Sequence, residues 1–201
     1  MDRGPSTPRF AWTKYLIPHV AIADLPAMAF IALTGGLIAG VFGAFHDLWT
    51  FSISTEYFTK VKFKSFAYAN LGLGNQVFAA CVGFLAAGIV GLFAAWFLAR
   101  RFYKRGSQKH AYLQIARGFL AIFVCTIIAD GLGYAYGLWR GPDADYSAWF
   151  WAVEKYHIED RYSFVSVAYI HNSAYIGGAV GFLLALLCLR PVETSDDSKR
   201  V

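Results

Sequence analysis

Charged residues are scarce in this chain of 201 residues, of which they make up 15%. Soluble domains typically carry about 25% charged residues, so this composition argues against a fold that faces water on all sides. Hydrophobic residues make up 57% of the chain and are concentrated in long runs. The composition therefore indicates an integral membrane protein, with the lipid bilayer as its surroundings.

Cysteines and catalytic signatures are also lacking. Cys81, Cys125 and Cys188 each lie inside an apolar run, and no CxxC pair occurs. An odd number of isolated thiols does not build a disulfide framework, so we expect these side chains to pack as small residues. The sequence has no GxSxG, Walker A, GxGxxG or HExxH motif, and nothing in it indicates a soluble catalytic domain.

Four segments have the length and apolarity of membrane-spanning helices. Crossing the hydrocarbon core takes about 20 apolar residues, because the core is about 30 Å thick and a helix rises about 1.5 Å per residue. The predicted spans are residues 26–45, 76–99, 113–139 and 165–189. The predicted fold class is an all-α integral membrane protein, a four-transmembrane-helix bundle formed by residues 26–189. Residues 1–25 are predicted to be a cytoplasmic or interfacial segment, and residues 190–201 a cytoplasmic tail.

The distribution of charge predicts the orientation. The net charge is +5, and the short loop between the second and third spans carries five basic residues and no acidic one. These are Arg100, Arg101, Lys104, Arg105 and Lys109. Short basic loops stay in the cytoplasm, so both termini are predicted to be cytoplasmic and the two longer loops to lie outside. Orientation also explains the positive charge without a nucleic-acid partner.

Small residues recur four apart in three of the spans, which allows helix backbones to approach closely. The glycines concerned are Gly36, Gly40, Gly83, Gly91, Gly177 and Gly181. Packing within one bundle is the favoured interpretation. A homo-oligomer or a larger membrane complex is the alternative.

Ionisable residues inside a bilayer are costly and mark candidate functional sites. Asp130 lies in the outer half of the third span, and His171 and Asn172 lie in the outer third of the fourth. His46 and Asp47 follow the first span on the same side. By depth alone these five residues are predicted to converge. Imidazole and carboxylate groups together suit a divalent transition metal as cofactor, and they equally suit a vestibule for protons or cations.

Three further residues belong to this prediction, one as a candidate ligand and two as supporting polar groups, Tyr57 and Tyr175. Glu56 is a candidate ligand in the outer loop, and Tyr57 follows it. Tyr175 comes four residues after His171, which places both on one helix face. No HxxxH or ExxH pair lies within a span, so the predicted convergence depends on depth and not on a motif.

The outer loops show two patterned stretches. Residues 50–65 alternate polar and apolar side chains, which predicts an edge strand or interfacial ribbon. The lysines of this ribbon, Lys60, Lys62 and Lys64, are expected to form a positively charged lid on lipid headgroups, with anion binding as the alternative. Residues 146–157 mix aromatic and charged side chains, which predicts a short amphipathic helix on the outer surface.

Two elements resemble those of a loose group of uncharacterised small multipass membrane proteins of bacteria. The first is HD…IS-x-EYF-x-K-x-KF, from His46 to Phe63, and the second is HN-x-x-Y-x-G-G, from His171 to Gly178. The resemblance implies a bacterial origin and a small multipass fold, and it implies no activity. Together with the four predicted spans, it leads to the expectation of a protein of the bacterial cytoplasmic (inner) membrane. It singles out His46, Asp47, Glu56, Tyr57, His171 and Asn172 as positions to test.

Three functions follow as hypotheses. Ion or solute handling through the outer polar residues ranks first. A structural or assembly subunit of a larger membrane complex ranks second, and a membrane metalloenzyme ranks third. Whether the chain catalyses a reaction is not decided by its sequence.

Overall fold

A computed structural model describes residues 21–103 and 108–189 of the chain. In these two ranges the protein is helical and contains no strand. The α-helices longer than one turn are α1 (Leu25–Ile53), α2 (Asn75–Phe102), α3 (Gln108–Arg140), α4 (Phe150–Tyr156) and α5 (Arg161–Cys188). A π-helical segment, Tyr57–Lys62, and the helical turns Phe63–Ser65 and Ala67–Ala69 connect α1 to α2.

Four of these helices, α1, α2, α3 and α5, are long and apolar enough to cross a membrane. The prediction of four long apolar helices is confirmed. The outer faces of the helices carry large apolar side chains that are more than half exposed, among them Phe30, Leu132 and Leu187. Such faces suit contact with lipid rather than water.

The four long helices form two antiparallel pairs, α1 with α2 and α3 with α5. In the first pair the backbones of Gly43 and Gly83 are in direct contact, so neither position has room for a Cβ atom. In the second pair, a Cβ on Gly177 would lie 2.6 Å from the carbonyl oxygen of Cys125. Small residues thus set the separation of both pairs, as small-xxx-small spacing predicts.

The glycines singled out from the sequence all lie at contacts between helices of this chain. Gly36, Gly40, Gly83 and Gly91 are packed between α1 and α2, and Gly177 and Gly181 are packed between α3 and α5. Packing within one bundle, the favoured interpretation, accounts for these six positions.

The bundle has two ends of different character. At the end where α1 begins and α2 ends, apolar side chains such as Met28, Leu98 and Phe102 form a core. At the opposite end, the connecting segments and α4 cover the helices, with Phe58 and Val165 fully buried. We call this second end, where α1 and α3 end and α2 and α5 begin, the connector end.

The segment between α1 and α2, residues 54–74, which we call the connector, differs from its prediction. Residues 50–65 were expected to be an extended ribbon, and this is wrong: α1 continues past Phe45 to Ile53, and a π-helical segment follows. Within residues 50–65 only Ser54 has extended backbone, with φ −140° and ψ 103°, and its hydroxyl accepts a hydrogen bond from the Tyr57 N–H at 3.3 Å. Ser54 therefore ends one helix and caps the next, which is a common role for serine.

Other predicted segments are placed as follows. A short helix was expected within residues 146–157, and α4 with the turn Ser147–Trp149 lies there. Three parts of the chain for which predictions were made lie outside the described residues. They are the C-terminal tail (residues 190–201), the first 20 residues, and the loop residues Lys104 and Arg105.

Candidate metal centre at the connector end

The longer α1 places three polar side chains on one helix face. His46, Asp47 and Thr50 all lie before the end of α1 at Ile53. Residues three and four apart share a face of a helix, so Thr50 lies next to both His46 and Asp47. The Thr50 hydroxyl donates a hydrogen bond to the His46 carbonyl oxygen at 2.9 Å. The one hydrogen atom of the hydroxyl is therefore used within the helix. This face points into the bundle, where Thr50 is fully buried.

Asp47 lies at the centre of the polar cluster, with 2% of its surface exposed. Its two carboxylate oxygens accept hydrogen bonds from Lys62 Nζ at 2.8 and 2.7 Å. The same Oδ1 atom lies 3.4 Å from Nδ1 of His46 and 3.8 Å from Nε2 of His171. Gly83 makes room for this side chain, because a Cβ on Gly83 would lie 2.7 Å from the Asp47 Cβ.

His46 joins the carboxylates of two helices. Its Nε2 lies 3.3 Å from Oδ1 of Asp130 on α3, and its Nδ1 faces Asp47. A neutral imidazole has one N–H donor and one lone pair. With the proton on Nε2, His46 donates to Asp130 and directs the Nδ1 lone pair toward Asp47. A histidine held by a carboxylate through its second nitrogen is the usual arrangement around metal-binding imidazoles.

His171 reaches the cluster from α5. It is 2% exposed, and its ring centroid lies 4.8 Å from that of His46. The ring of Tyr57 stacks on it at 5.1 Å with an interplanar angle of 5°. Its Nε2 lies 3.3 Å from the Thr50 hydroxyl oxygen. The stacked tyrosine and the neighbouring Phe58 ring, 6.2 Å away, restrict the orientation of the imidazole.

These distances suit a metal ion. His46, Asp47 and His171 each offer one donor atom, and the three atoms lie within 4.8 Å of one another. Metal–ligand bonds of about 2.0–2.2 Å in tetrahedral geometry require donors about 3.3–3.6 Å apart. The 3.4 and 3.8 Å separations from Asp47 Oδ1 are close to that requirement. Two imidazoles and one carboxylate suit zinc and its neighbouring divalent transition metals.

The connector supplies groups around this centre rather than in it. Burial lowers the pKa of Lys62, while the adjacent Asp47 carboxylate acts in the opposite direction. Burial raises the pKa of Tyr57, with smaller contributions from Tyr175 and Asp47. A phenol of raised pKa stays protonated at neutral pH, so Tyr57 acts here as a packing partner of His171 and not as an anionic ligand.

Glu56 is separate from the cluster, although the sequence made it a candidate ligand. It pairs with Lys60 and accepts hydrogen bonds from the backbone N–H groups of Glu159 and Asp160, the latter at 2.8 Å. Burial alone would raise the pKa of Glu56, but the hydrogen bonds from Lys60 and these N–H groups lower it. Glu56 thus fastens the connector to the segment before α5.

The structure brings together four of the predicted site residues, His46, Asp47, Asp130 and His171. Asn172 is exposed, and Tyr175 is 62% exposed with its ring centroid 6.4 Å from that of His171. Neither residue supplies a donor to the cluster.

Sequence reasoning missed two members of this cluster, Thr50 and Lys62. Thr50 follows His46 by four residues, which would have indicated a shared face if the helix had been extended past residue 45. Lys62 was expected to face lipid headgroups, and this is wrong because its side chain is 11% exposed and bound to Asp47. No protein-family model, curated protein or solved structure matches this chain.

Proposed function

We propose that this protein binds a divalent transition-metal ion inside the membrane and handles that ion at one end of its helix bundle. His46 and Asp47 of α1 and His171 of α5 are the ligands. The observation that carries the proposal is the convergence of their three donor atoms within 4.8 Å, although His171 lies more than a hundred positions from His46 and Asp47 in the sequence. Asp130 holds the second nitrogen of His46 and thereby orients this ligand.

Ion handling accounts for the burial of the ligands better than catalysis does. Asp47 and His171 are each 2% exposed, and Tyr57 and Phe58 pack on the His171 ring. A substrate larger than an ion would have to displace these aromatic side chains. A single ion, in contrast, needs only the three donor atoms themselves, which lie within 4.8 Å of one another. We therefore rank ion handling above a membrane metalloenzyme.

The charge pattern supports an outward-facing position for the centre. The basic residues Arg100 and Arg101, in the last turn of α2, and Lys109, at the start of α3, lie at the end of the bundle opposite the connector. Basic loops remain in the cytoplasm, so the connector end would face outward with both termini inside. The resemblance of the His46–Phe63 and His171–Gly178 elements to bacterial proteins supports a location in a bacterial cytoplasmic membrane.

Zinc flux into proteoliposomes tests the proposal. The protein is reconstituted, a zinc-sensitive dye is trapped in the lumen, and the dye signal is followed after zinc is added outside. We expect uptake by the wild type, and loss of uptake in His171→Ala because one of three ligands is removed. His110→Ala is the matched control, since His110 is an exposed histidine at the other end of the bundle.

Two results would count against ion handling. One is equal uptake by empty liposomes, the wild type and His171→Ala. The other is stable co-purification with a larger complex whose function does not change in His171→Ala, and this would favour the structural subunit.

A further inference from the structure

Lys62 is bound to Asp47, the carboxylate that both imidazoles of the cluster also approach. Its Nζ donates to both oxygens of Asp47, at 2.8 and 2.7 Å. The side chain is 11% exposed and also lies 5.0 Å from the centre of the Phe58 ring. A lysine ammonium has three donors and no acceptor, so it cannot itself ligate a metal while it remains charged.

The metal ion and Lys62 require the same atoms. The centre described above uses an oxygen of Asp47, and Oδ1 is the oxygen near both imidazoles, at 3.4 and 3.8 Å. An ion bound there would lie within a few ångströms of the ammonium group. Two positive charges at that separation in a buried site repel strongly.

Charge balance also disfavours the presence of Lys62 and a metal ion on Asp47 at the same time. The cluster contains two buried carboxylates, Asp47 and Asp130. A divalent ion with two neutral imidazoles balances these carboxylates without Lys62, whereas Lys62 alone balances one of them. Buried charges are tolerated when they are paired, so one cation at a time on Asp47 is the favoured arrangement.

From this geometry we infer that Lys62 is a tethered counter-cation that competes with the metal ion for Asp47 and so sets the affinity of the centre. The inference rests on the proposed metal-binding function and adds how binding is regulated. The structure shows the arrangement with Lys62 on Asp47. Metal binding exchanges the ammonium for the ion and releases Lys62 from the carboxylate.

The neighbouring lysine shows why position 62 is distinctive. Lys60 lies in the same π-helical segment, but it pairs with Glu56 and donates to the His157 carbonyl oxygen at 2.6 Å. A π-helix has more residues per turn than an α-helix and is frequent at functional sites. In this segment it directs Lys62 inward to Asp47 and leaves Lys60 near the surface. Lys60 is therefore a matched control of equal charge and length.

Metal titration of purified full-length variants tests the inference. Zinc affinity is measured by competition with a chromogenic chelator for the wild type, Lys62→Met, Lys62→Arg and Lys60→Met. We expect Lys62→Met to bind zinc at least about tenfold more tightly, because a competing buried charge is removed. Lys62→Arg should bind no more tightly than the wild type, since a guanidinium holds both carboxylate oxygens. Lys60→Met should match the wild type.

Folding is followed in the same samples by thermal unfolding. Lys62→Met leaves Asp47 without its cation, so its unfolding temperature should fall without zinc and rise more than that of the wild type when zinc is added. If Lys62 has only a structural role, the folded Lys62→Met protein binds zinc no more tightly than the wild type, and the inference is overturned. If neither protein binds zinc, the proposed function itself fails. Binding by Lys62→Met alone would support Lys62 as the competitor and contradict metal binding by the wild type.

Discussion

At the scale of single residues, the candidate centre depends on how each ligand is held. Asp47 is oriented by Lys62, His171 by the ring of Tyr57, and His46 by Asp130. These supporting groups come from two segments of the chain, the π-helical segment Tyr57–Lys62 and α3. An imidazole whose second nitrogen is bound to a carboxylate is a more basic and better oriented ligand. Asp130 is thus predicted to act on the metal through His46 without touching it.

Asp130→Asn tests this indirect role. The amide can still accept a hydrogen bond from His46 Nε2, but it lacks the negative charge. We expect zinc affinity to fall by about 10- to 100-fold, the usual effect of losing such a partner, with one ion still bound per chain. The measurement is the chelator competition, and circular dichroism verifies that the helices are retained.

Asp143→Asn is the control for Asp130→Asn, because Asp143 is an exposed acidic residue in the loop after α3. It removes the same charge without contacting the cluster. Equal zinc affinity for Asp130→Asn and the wild type would show that Asp130 has no role in orienting His46. If Asp130→Asn bound no zinc at all, Asp130 would instead be a ligand.

At the scale of helices, the centre depends on the close approach of α1 and α2. Gly43 and Gly83 are in backbone contact, and Asp47 lies over Gly83 one turn further along α1. There is no space for a methyl group on Gly83, because it would overlap with the Gly43 carbonyl group and the Asp47 Cβ. The glycine therefore serves both the packing of this helix pair and the position of a ligand.

Gly83→Ala is predicted to destabilise the protein by about 1–3 kcal/mol, the usual cost of overpacking, and to weaken zinc binding. Gly131→Ala is the control: Gly131 lies within α3 with no atom in reach of an added Cβ. There the higher helix propensity of alanine should leave stability unchanged or raise it by up to about 1 kcal/mol. Thermal unfolding in detergent compares the two. Equal unfolding temperatures would contradict the close approach of α1 and α2.

The helices differ in how far the sequence could predict them. The four long helices were predictable because runs of 20 or more apolar residues have few alternatives in a protein. The shared depth of His46, Asp130 and His171 followed from the same spans. The end of α1 was not predictable in this way, since the polar residues after Phe45 resemble a loop when the site that buries them is unknown. The inward direction of Lys62 depends on a π-helical segment, which has no local sequence signature.

At the scale of the whole molecule, the cluster connects the two helix pairs. His46 and Asp47 belong to the pair α1–α2, whereas Asp130 and His171 belong to the pair α3–α5. Elsewhere the pairs contact each other mainly through apolar side chains such as Phe42 and Phe123, whose ring centroids lie 4.7 Å apart. An ion held by ligands from both pairs would join them, and any change in its coordination would affect how the pairs pack.

A cobalt(II) titration of the purified protein, followed by visible absorption, tests metal binding by His46, Asp47 and His171 most directly. Tetrahedral cobalt absorbs far more strongly in the visible range than octahedral or aqueous cobalt. We predict an intense band that saturates at one ion per chain, is displaced by zinc, and is absent from the double variant His46→Ala/His171→Ala. A spectrum that stays that of aqueous cobalt at saturating metal, or an unchanged band in the double variant, would contradict the account.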